Sequence, residues 1–377
     1  MIYGKLRVIA LDTSQYAEVV RDLNSSDSLH IRRAKEFQKM LFDQGGVPLF
    51  TFHHISELLK HRDTAVGRDC IAFIRSLAAA AWIPGHTDPQ GVGAITDILA
   101  AEVAAALTIA DATAEQVRTL VAKTSFKVGS GEEAAAPYLG NWQQLQPYLW
   151  EREEKAREIM ALSSASFPKD SKLTVSDIIN GKIRPLSDAN EILDVMRGLL
   201  IDDIKRYGDK KLSSPNKTAT EFLRSVKAEA ANFDTEGSSA IIQFLARQEI
   251  DVADIKSIKK PEEFGELAVF RKQLKIIAEA VGVEWPELKK KIKPSSIPSW
   301  VIQSELRKNR DSELKREGSE LIDRHLACLA AYADVTFVDK RIHENVLRAR
   351  RKSKIFSKII GRIEKVSHYS DVINHLK

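Results

Sequence analysis

The first 85 residues alternate short apolar runs with amphipathic segments, which predicts strands and helices in turn. Lys5–Leu11 is largely apolar with β-branched residues at its centre, as expected of a buried parallel strand. His30–Asp43 has apolar residues at helical spacing and ends before Gly45-Gly46. Val47–Thr51 predicts a second strand. Two more helices and a short extended segment are predicted at His54–His61, Gly67–Ala81 and Trp82-Ile83.

From about Gly91 to about Gly318 the pattern predicts one helix after another and no convincing strand. Clusters of Ser, Pro and Asn separate these helices. We interpret Gly129-Ser130-Gly131 as a mobile surface link. The predicted helices are Ala94–Ala110, Ala114–Lys123, Trp142–Ser163, Asp188–Tyr207, Ala219–Ala231, Ala240–Arg247, Glu266–Val281 and Ser299–Lys315.

The strand-and-helix alternation returns at the carboxyl end. Glu320–Ala333 is a strongly periodic helix, and Val335–Val338 is a strand rich in β-branched residues that ends at Asp339. The remaining predicted elements are a helix at Arg341–Arg350, a strand at Ile363–Val366 and a helix at Tyr369–Leu376.

Neither α/β segment alone could form an adequate sheet, but together they have about 145 residues, a natural size for one domain. We therefore predict a discontinuous α/β domain made of residues 1–85 and 318–377, with a helical insertion at residues 86–317. Strands that alternate with helices indicate a central parallel sheet.

The composition of the 377-residue chain, 44% hydrophobic and 29% charged, is ordinary for a soluble globular protein. The formal charge of +5 permits a nucleic-acid partner without requiring one. Cys70 and Cys328 lie in apolar helical stretches, so we expect two small buried side chains. The amino terminus lacks an apolar signal region and no stretch of about 18 apolar residues occurs, so we expect a cytoplasmic protein without a membrane partner.

Four acids follow or precede the predicted strands in positions where open α/β sheets place ligands, at the carboxyl ends of strands. Asp12 closes the first strand, and Asp339 closes the late one. Glu57 lies one turn into the helix after the second strand. Asp323 lies in the helix before Val335–Val338, and that helix must begin near the same edge. The four carboxylates are therefore expected to converge.

Converging carboxylates repel one another unless a cation compensates, and oxygen-only ligand sets suit Mg²⁺ or Mn²⁺. Such a metal can orient a water and stabilise charge on phosphoryl oxygens, so phosphodiester hydrolysis is the chemistry that fits best. Other roles stay open: Asp12 and Asp339 could cap helices, and Glu57 could be a solvated helix residue. Asp334, before the strand, is expected at the opposite edge.

Three segments resemble the successive motifs of PIN domains: Leu11–Ser14 (LDTS), Pro48–His61 (PLFTFHHISELLKH) and Asp323–Ile342 (DRHLACLAAYADVTFVDKRI). The resemblance covers roughly the first 83 and last 60 residues. It implies a compact three-layer α/β/α fold and a metal-dependent endonuclease that usually acts on RNA. Two features depart from the family pattern, the large insertion and the sequence FVDKR where a threonine commonly precedes the acid.

The resemblance also implies a role for each acid. Asp12 would be the first-strand metal ligand, and Glu57 the acid of the second motif. Asp323 would be the acid before the alanine-rich helix core, and Asp339 the acid after the late strand. Thr13 or Ser14 would support this cluster by hydrogen bonding.

Lys340–Lys365 is the clearest basic stretch and begins beside Asp339. We interpret it as a phosphate-backbone track, with a solvated basic helix face as the alternative. A second track is considered at Lys289–Lys293. The predicted nucleic-acid contacts are Arg341, Arg348, Arg350, Arg351, Lys352 and Lys354.

The histidines near these motifs match no strong zinc spacing, so we expect them to pack or hydrogen-bond near the site rather than act in catalysis. They are His53, His54, His61 and His325. The chain has no phosphate loop GxxxxGK[ST], no GxGxxG fingerprint and no GxSxG nucleophile elbow. Nucleotide-binding and serine-hydrolase classes are therefore disfavoured.

Three functions remain open. The first is a Mg²⁺- or Mn²⁺-dependent endonuclease acting on RNA or, less favoured, single-stranded DNA, as suits a stress, toxin–antitoxin or defence protein. The second is a catalytically inactive PIN-like scaffold whose helical insertion binds a protein partner or inhibitor, or mediates homo-oligomerisation. The third is a phosphatase that acts on small phosphoesters, which substrate length would distinguish from the nuclease.

Overall fold

Six strands form one sheet at the centre of the protein. The computed structural model describes residues 6–162 apart from 87, 90 and 139, then 189–230, 246–251, 254, 261–309 and 319–376. The strands are β1 (Arg7–Ala10), β2 (Gly46–Phe50), β3 (Ala80–Trp82), β4 (Lys127–Gly129), β5 (Val335–Val338) and β6 (Ile363–Lys365). Their order across the sheet is β4-β3-β2-β1-β5-β6. All neighbours run parallel except β3 and β4, which are antiparallel.

Strand β1 joins the two ends of the chain. Ile9 pairs with Pro48 of β2 on one side and with Val335 of β5 on the other. The predicted α/β fold is therefore confirmed, and the sheet predicted to be parallel is mostly so, with the antiparallel strand β4 at one edge. Chain order reverses between β1 and β5, so this is the point where open sheets leave a crevice at the strand ends.

Helices surround the sheet. They are α1 (Thr13–Leu23), α2 (Ser28–Asp43), α3 (Phe52–Leu59), α4 (Thr64–Ser76), α5 (Ile95–Leu107), α6 (Ala114–Val121), α7 (Gly131–Ala135), α8 (Trp142–Leu162), α9 (Ala189–Tyr207), α10 (Pro215–Ala230), α11 (Pro261–Val281), α12 (Trp285–Lys291), α13 (Pro298–Lys308), α14 (Ser319–Ala327), α15 (Lys340–Lys352) and α16 (Lys354–Ile359). Single 3₁₀ segments lie at Ala136–Tyr138, Pro294–Ser296, Cys328–Ala331 and Tyr369–His375. None of the helices described is long and apolar enough to span a membrane.

Most helix boundaries agree with the sequence pattern to within a few residues, but four predicted helices end differently. The predicted helix Glu320–Ala333 is α-helical only to Ala327 and continues as the 3₁₀ segment Cys328–Ala331, and the predicted helix Ser299–Lys315 ends at Lys308. The predicted helix Gly67–Ala81 stops at Ser76, because Leu77 is extended and leads into β3. The predicted terminal helix is a 3₁₀ segment, Tyr369–His375. Lys5 and most of the predicted helix Ala240–Arg247 lie outside the described residues.

Side chains alternate between two buried layers along each strand. Ile9, Trp82 and Phe337 belong to one core, whereas Ala10 and Val338 belong to the other. Helices from the middle of the chain cover both faces: α8 contributes to the first core, and α5 and α13 contribute to the second. The middle of the chain thus supplies part of the sheet's own packing, while the domain boundaries stay a prediction.

The expectation of no strand between Gly91 and Gly318 is wrong, because β4 pairs with the edge of β3. Three residues are too few for a periodic pattern, and Val128 is 44% exposed, so an edge strand of this kind resembles a loop in sequence. The expectation of a mobile link at Gly129-Ser130-Gly131 is also wrong. Ser130 caps α7, and the Gly131 amide donates to the Leu77 carbonyl over 2.9 Å.

Replacement of Gly131 by alanine is expected to lower the free energy of unfolding by about 1–3 kcal/mol. The added Cβ would lie 1.8 Å from the Ile74 carbonyl oxygen, so α4 and α7 would have to separate. Gly140→Ala is the matched control, since no heavy atom lies within 4 Å of its Cβ position. Urea unfolding of both variants measures the effect, and equal stabilities would contradict the close packing of α7.

Candidate active site

The four acids singled out in the sequence line one cavity of about 920 Å³. The cavity lies at the carboxyl ends of the parallel strands, beside the reversal between β1 and β5. Residues from both ends of the chain therefore meet there. The four acids are Asp12, Glu57, Asp323 and Asp339.

Asp12 and Asp339 occupy equivalent positions after neighbouring strands, and each caps the helix that follows. Asp12 Oδ1 accepts hydrogen bonds from the Ser14 amide (2.9 Å) and the Ser14 hydroxyl (2.5 Å). Asp339 Oδ1 accepts from the Ile342 amide over 2.6 Å. The capping role left open in the sequence is therefore real. In each carboxylate the capping bonds use one oxygen, and the Oδ2 atoms accept no hydrogen bond from the described residues.

Glu57 is carried by α3, and only 15% of its side chain is exposed. Burial raises the pKa of Glu57, and the nearby Asp12 and Glu153 carboxylates raise it further. The Thr13 side chain and the Lys60 ammonium oppose this rise in pKa. The Lys60 Nζ atom lies 3.7 Å from Glu57 Oε1.

Asp323 is carried by α14 with 16% of its side chain exposed. Burial raises its pKa to about 8, with contributions in the same direction from Asp12, Glu57 and Asp339. Arg341 opposes the rise through an ion pair of 3.0 Å between its Nη2 and Asp323 Oδ2. The carboxylates are therefore close enough to affect one another's ionisation.

His54 fixes the position of α3 relative to the end of β1. Its Nε2 donates to the Leu11 carbonyl over 3.0 Å, and its Nδ1 accepts from the Thr51 amide over 3.0 Å. Complete burial lowers the pKa of His54 to about 4, so the ring is neutral and keeps this pattern at neutral pH. The expected role of a histidine that hydrogen-bonds near the site is confirmed for His54.

The other three histidines divide between packing and the cavity rim. The rings of His53 and His325 pack edge to face with centroids 5.3 Å apart. Burial lowers the pKa of His53 to about 3 and that of His325 well below its usual value. His61 is exposed and lines the carboxylate cavity.

The donor chemistry of the cavity suits a hard divalent cation, but the present arrangement does not form a ligand cage. Within the described ranges, no group of three or more His, Cys, Asp or Glu side chains could hold a metal ion as it stands. The Arg341 guanidinium lies among these acids, since it pairs with Asp323 and its Nε lies 3.9 Å from Asp339 Oδ2. A metal ion that bound Oδ2 of Asp323 would have to displace Arg341 from it.

Of the basic residues predicted to bind nucleic acid, the structure brings only Arg341 to the cavity. Helix α15 starts at Asp339 and runs away from it, so its last residues lie about 20 Å along the helix axis. Arg350 donates to the Gly361 carbonyl and Arg348 to Asn345 Oδ1, both over 2.5 Å. The exposed basic residues at that far end are Arg351, Lys352 and Lys354.

The second predicted track, Lys289–Lys293, is largely neutralised by acids. Lys289 pairs with Asp251 over 2.7 Å and Lys293 with Asp111 over 3.0 Å. Neither residue lines the carboxylate cavity.

Comparison with known proteins gave no relative. No protein-family model matches the chain, and no curated protein and no solved structure matches it significantly. The interpretation of the site therefore rests on its own geometry and chemistry.

Two residues of the site were not identified from the sequence in their present roles. Lys60 lies three residues after Glu57, a spacing that places both on one helix face, and this spacing could have indicated the pair. Arg341 was assigned to the basic track, and nothing in its local sequence indicates the ion pair with Asp323.

Asp323 should make stability fall as pH rises. Because its folded-state pKa is raised, the carboxyl's contribution is fully present below the unfolded pKa of about 4 and is lost as pH rises through about 8. The side chain of the Asp323→Asn variant stays neutral. The free energy of unfolding of this variant, relative to that of the wild type, should therefore rise by at least about 1 kcal/mol between pH 5 and pH 9. Urea unfolding in chelator at the two pH values measures this difference.

Asp111→Asn provides the control for this measurement. The Asp111 side chain is 90% exposed, so the same chemical change there should alter the free energy of unfolding less than it does at Asp323. A difference at Asp323 that stays constant, or that favours the wild type at high pH, would contradict the raised pKa of the Asp323 carboxyl.

Proposed function

We propose that the protein is a metal-dependent endonuclease that hydrolyses phosphodiester bonds in RNA or single-stranded DNA, with Mg²⁺ or Mn²⁺ as its cofactor. One observation carries this proposal: Asp12, Glu57, Asp323 and Asp339 line a single cavity at the carboxyl ends of parallel strands. Like charges held close together destabilise a fold, more so where they are largely buried as in Glu57 and Asp323, so their concentration at a cleft is typical of a functional site.

The four acids share one part in the proposed reaction, and Arg341 has another. Asp12, Glu57, Asp323 and Asp339 would hold the metal, which supplies Lewis acidity toward the phosphate and an activated water. The helix caps use Oδ1 of Asp12 and Asp339, so Oδ2 of Asp12 is available for this, and Oδ2 of Asp339 would become available once Arg341 moves away. Arg341, once released from Asp323, would donate hydrogen bonds to phosphate oxygens in the same cavity.

The surroundings of the acids support the same reading. A cavity of about 920 Å³ lies within the range of small-molecule sites and could admit a nucleotide unit of a longer chain. Helices on both faces of a mostly parallel sheet are compatible with the resemblance of the end segments to PIN domains.

The combined variant Asp12→Asn, Asp339→Asn should lose at least about 100-fold in the rate of Mn²⁺-dependent cleavage of labelled single-stranded RNA or DNA. Asparagine still accepts the capping hydrogen bonds, so the fold should persist. Asp334→Asn is the matched control and should cleave like the wild type. The exposed Asp334 carboxylate accepts from the Val8 amide at the opposite edge of the sheet, over 2.8 Å. Cleavage that survives unchanged in the double variant would remove the proposed site.

A second candidate function is a catalytically inactive scaffold whose helical region binds a protein partner. The ion pair between Arg341 and Asp323 favours it, since an internal cation already compensates the acids and no described group is arranged as a metal site. The two candidates differ in whether a divalent ion displaces Arg341.

If the protein is a nuclease, the Arg341→Gln variant should bind Mn²⁺ about tenfold more tightly than the wild type, a difference in binding free energy of about 1.4 kcal/mol. The variant removes the competing cation, whereas Arg341→Lys keeps a positive charge and should bind nearly as the wild type does. Isothermal titration calorimetry measures the three affinities. Absence of Mn²⁺ binding by both the wild type and the Gln variant would favour the scaffold.

A further inference from the structure

Helix α8 carries two exposed aromatic side chains, and each lies against an arginine. Trp150 is 38% exposed, and the Arg62 guanidinium lies 6.0 Å from its ring centre. Tyr148 is 53% exposed, and the Arg152 guanidinium lies 5.7 Å from its ring centre. We call these four residues the aromatic–arginine surface.

This surface continues into the carboxylate cavity. The Trp150 indole nitrogen donates to the Lys60 carbonyl over 2.6 Å, which fixes the ring beside residues that line the cavity. Arg152 lines a second cavity of about 270 Å³, which shares Glu57 and Lys60 with the first. A ligand that reaches the acids therefore lies close to Arg152 through the second cavity and close to Trp150 through Lys60, and the two aromatic–arginine pairs flank the cavities from different sides of α8.

The charge on this surface suits an anion. The neighbouring acids of α8 are neutralised by ion pairs, from Glu151 to Lys155 (2.6 Å) and from Glu153 to Lys60 (2.9 Å). Arg62 and Arg152, by contrast, form no ion pair with any part of the chain that the structure describes. Two arginines held on aromatic rings thus remain available to phosphate groups.

We propose that the aromatic–arginine surface binds unpaired bases of a single-stranded nucleic acid next to the carboxylate cavity. Bases stack on Trp150 and Tyr148, and the guanidinium groups of Arg62 and Arg152 contact the adjoining phosphates. The bases of a duplex are already stacked on one another, so the surface favours single strands. The inference rests on the proposed function, because it assigns the subsite that holds the substrate flanking the cleaved bond.

The test measures binding without cleavage. Fluorescence anisotropy with labelled single-stranded oligonucleotides, in chelator, should show that Trp150→Ala and Tyr148→Ala each weaken binding about 5- to 100-fold. Binding of the same sequence as a duplex should change little. Phe42→Ala is the matched control with no expected effect, since Phe42 is 37% exposed on α2 but lines a pocket with Gly46 at the opposite edge of the sheet.

Trp150→Phe separates stacking from structural support. Phenylalanine keeps a ring for stacking but loses the hydrogen bond to Lys60, so this variant should retain most of the affinity that Trp150→Ala loses. If both variants lose affinity equally, or if Trp150→Ala and Tyr148→Ala bind like the wild type, the surface is not a stacking site. If the alanine variants lose single-strand and duplex binding to the same extent, the proposal of a stacking site is likewise overturned.

The outcomes distinguish this inference from the proposed function. A wild type that binds single strands through Trp150 and Tyr148 but never cleaves them would retain the surface and remove the nuclease. A nuclease that cleaves normally in the Trp150→Ala, Tyr148→Ala double variant would retain the activity and remove the surface. Salt titration adds a further readout, because Arg62→Ala should reduce the salt dependence of binding by about one phosphate contact.

Discussion

The parallel pairing of β1 with β5 is the constraint on which the rest of the structure depends. Ile9 lies opposite Val335 and Ala10 opposite Thr336, so the two ends of the chain form the centre of one sheet. Parallel strands end at the same edge, and therefore Asp12 and Asp339 meet whatever lies between them in sequence. A slip of one residue would turn Ile9 and Ala10 to the wrong cores and would separate the two acids.

The acids were predictable because each is tied to a strand or to a helical turn. Asp12 and Asp339 follow apolar strands directly, and Glu57 and Asp323 lie at helical positions whose edge is determined by the neighbouring parallel strand. The edge strand β4 was not predictable, since three half-exposed residues acquire their strand identity only from their partner β3. Its pairing is tertiary information that local pattern does not contain.

The basic stretch shows a different limit of sequence interpretation. A run of lysines and arginines that begins beside Asp339 looks continuous in sequence, but a helix moves away from its starting edge by about 1.5 Å per residue. Arg341, in the first turn, therefore turns back to Asp323, whereas Arg350 binds the Gly361 carbonyl before β6. A run of charged residues in a helix therefore indicates a binding track only when the distance of each residue from the site along the helix axis is taken into account.

The electrostatics of the cavity connect its two sides. Two internal cations offset the buried carboxylates: Arg341 pairs with Asp323, and Lys60 lies between Glu57 and Glu153 of α8. Because Lys60 also contacts Glu153, helix α8 from the middle of the chain takes part in the charge balance around Glu57. An ion that binds Glu57 or Lys60 competes with these contacts, so it would act on α8 as well as on the acid. The same helix carries Trp150, whose indole is held by the carbonyl of Lys60. The position of α8 and the ionisation of Glu57 are therefore physically linked, both through Lys60 and through the Glu153 carboxylate.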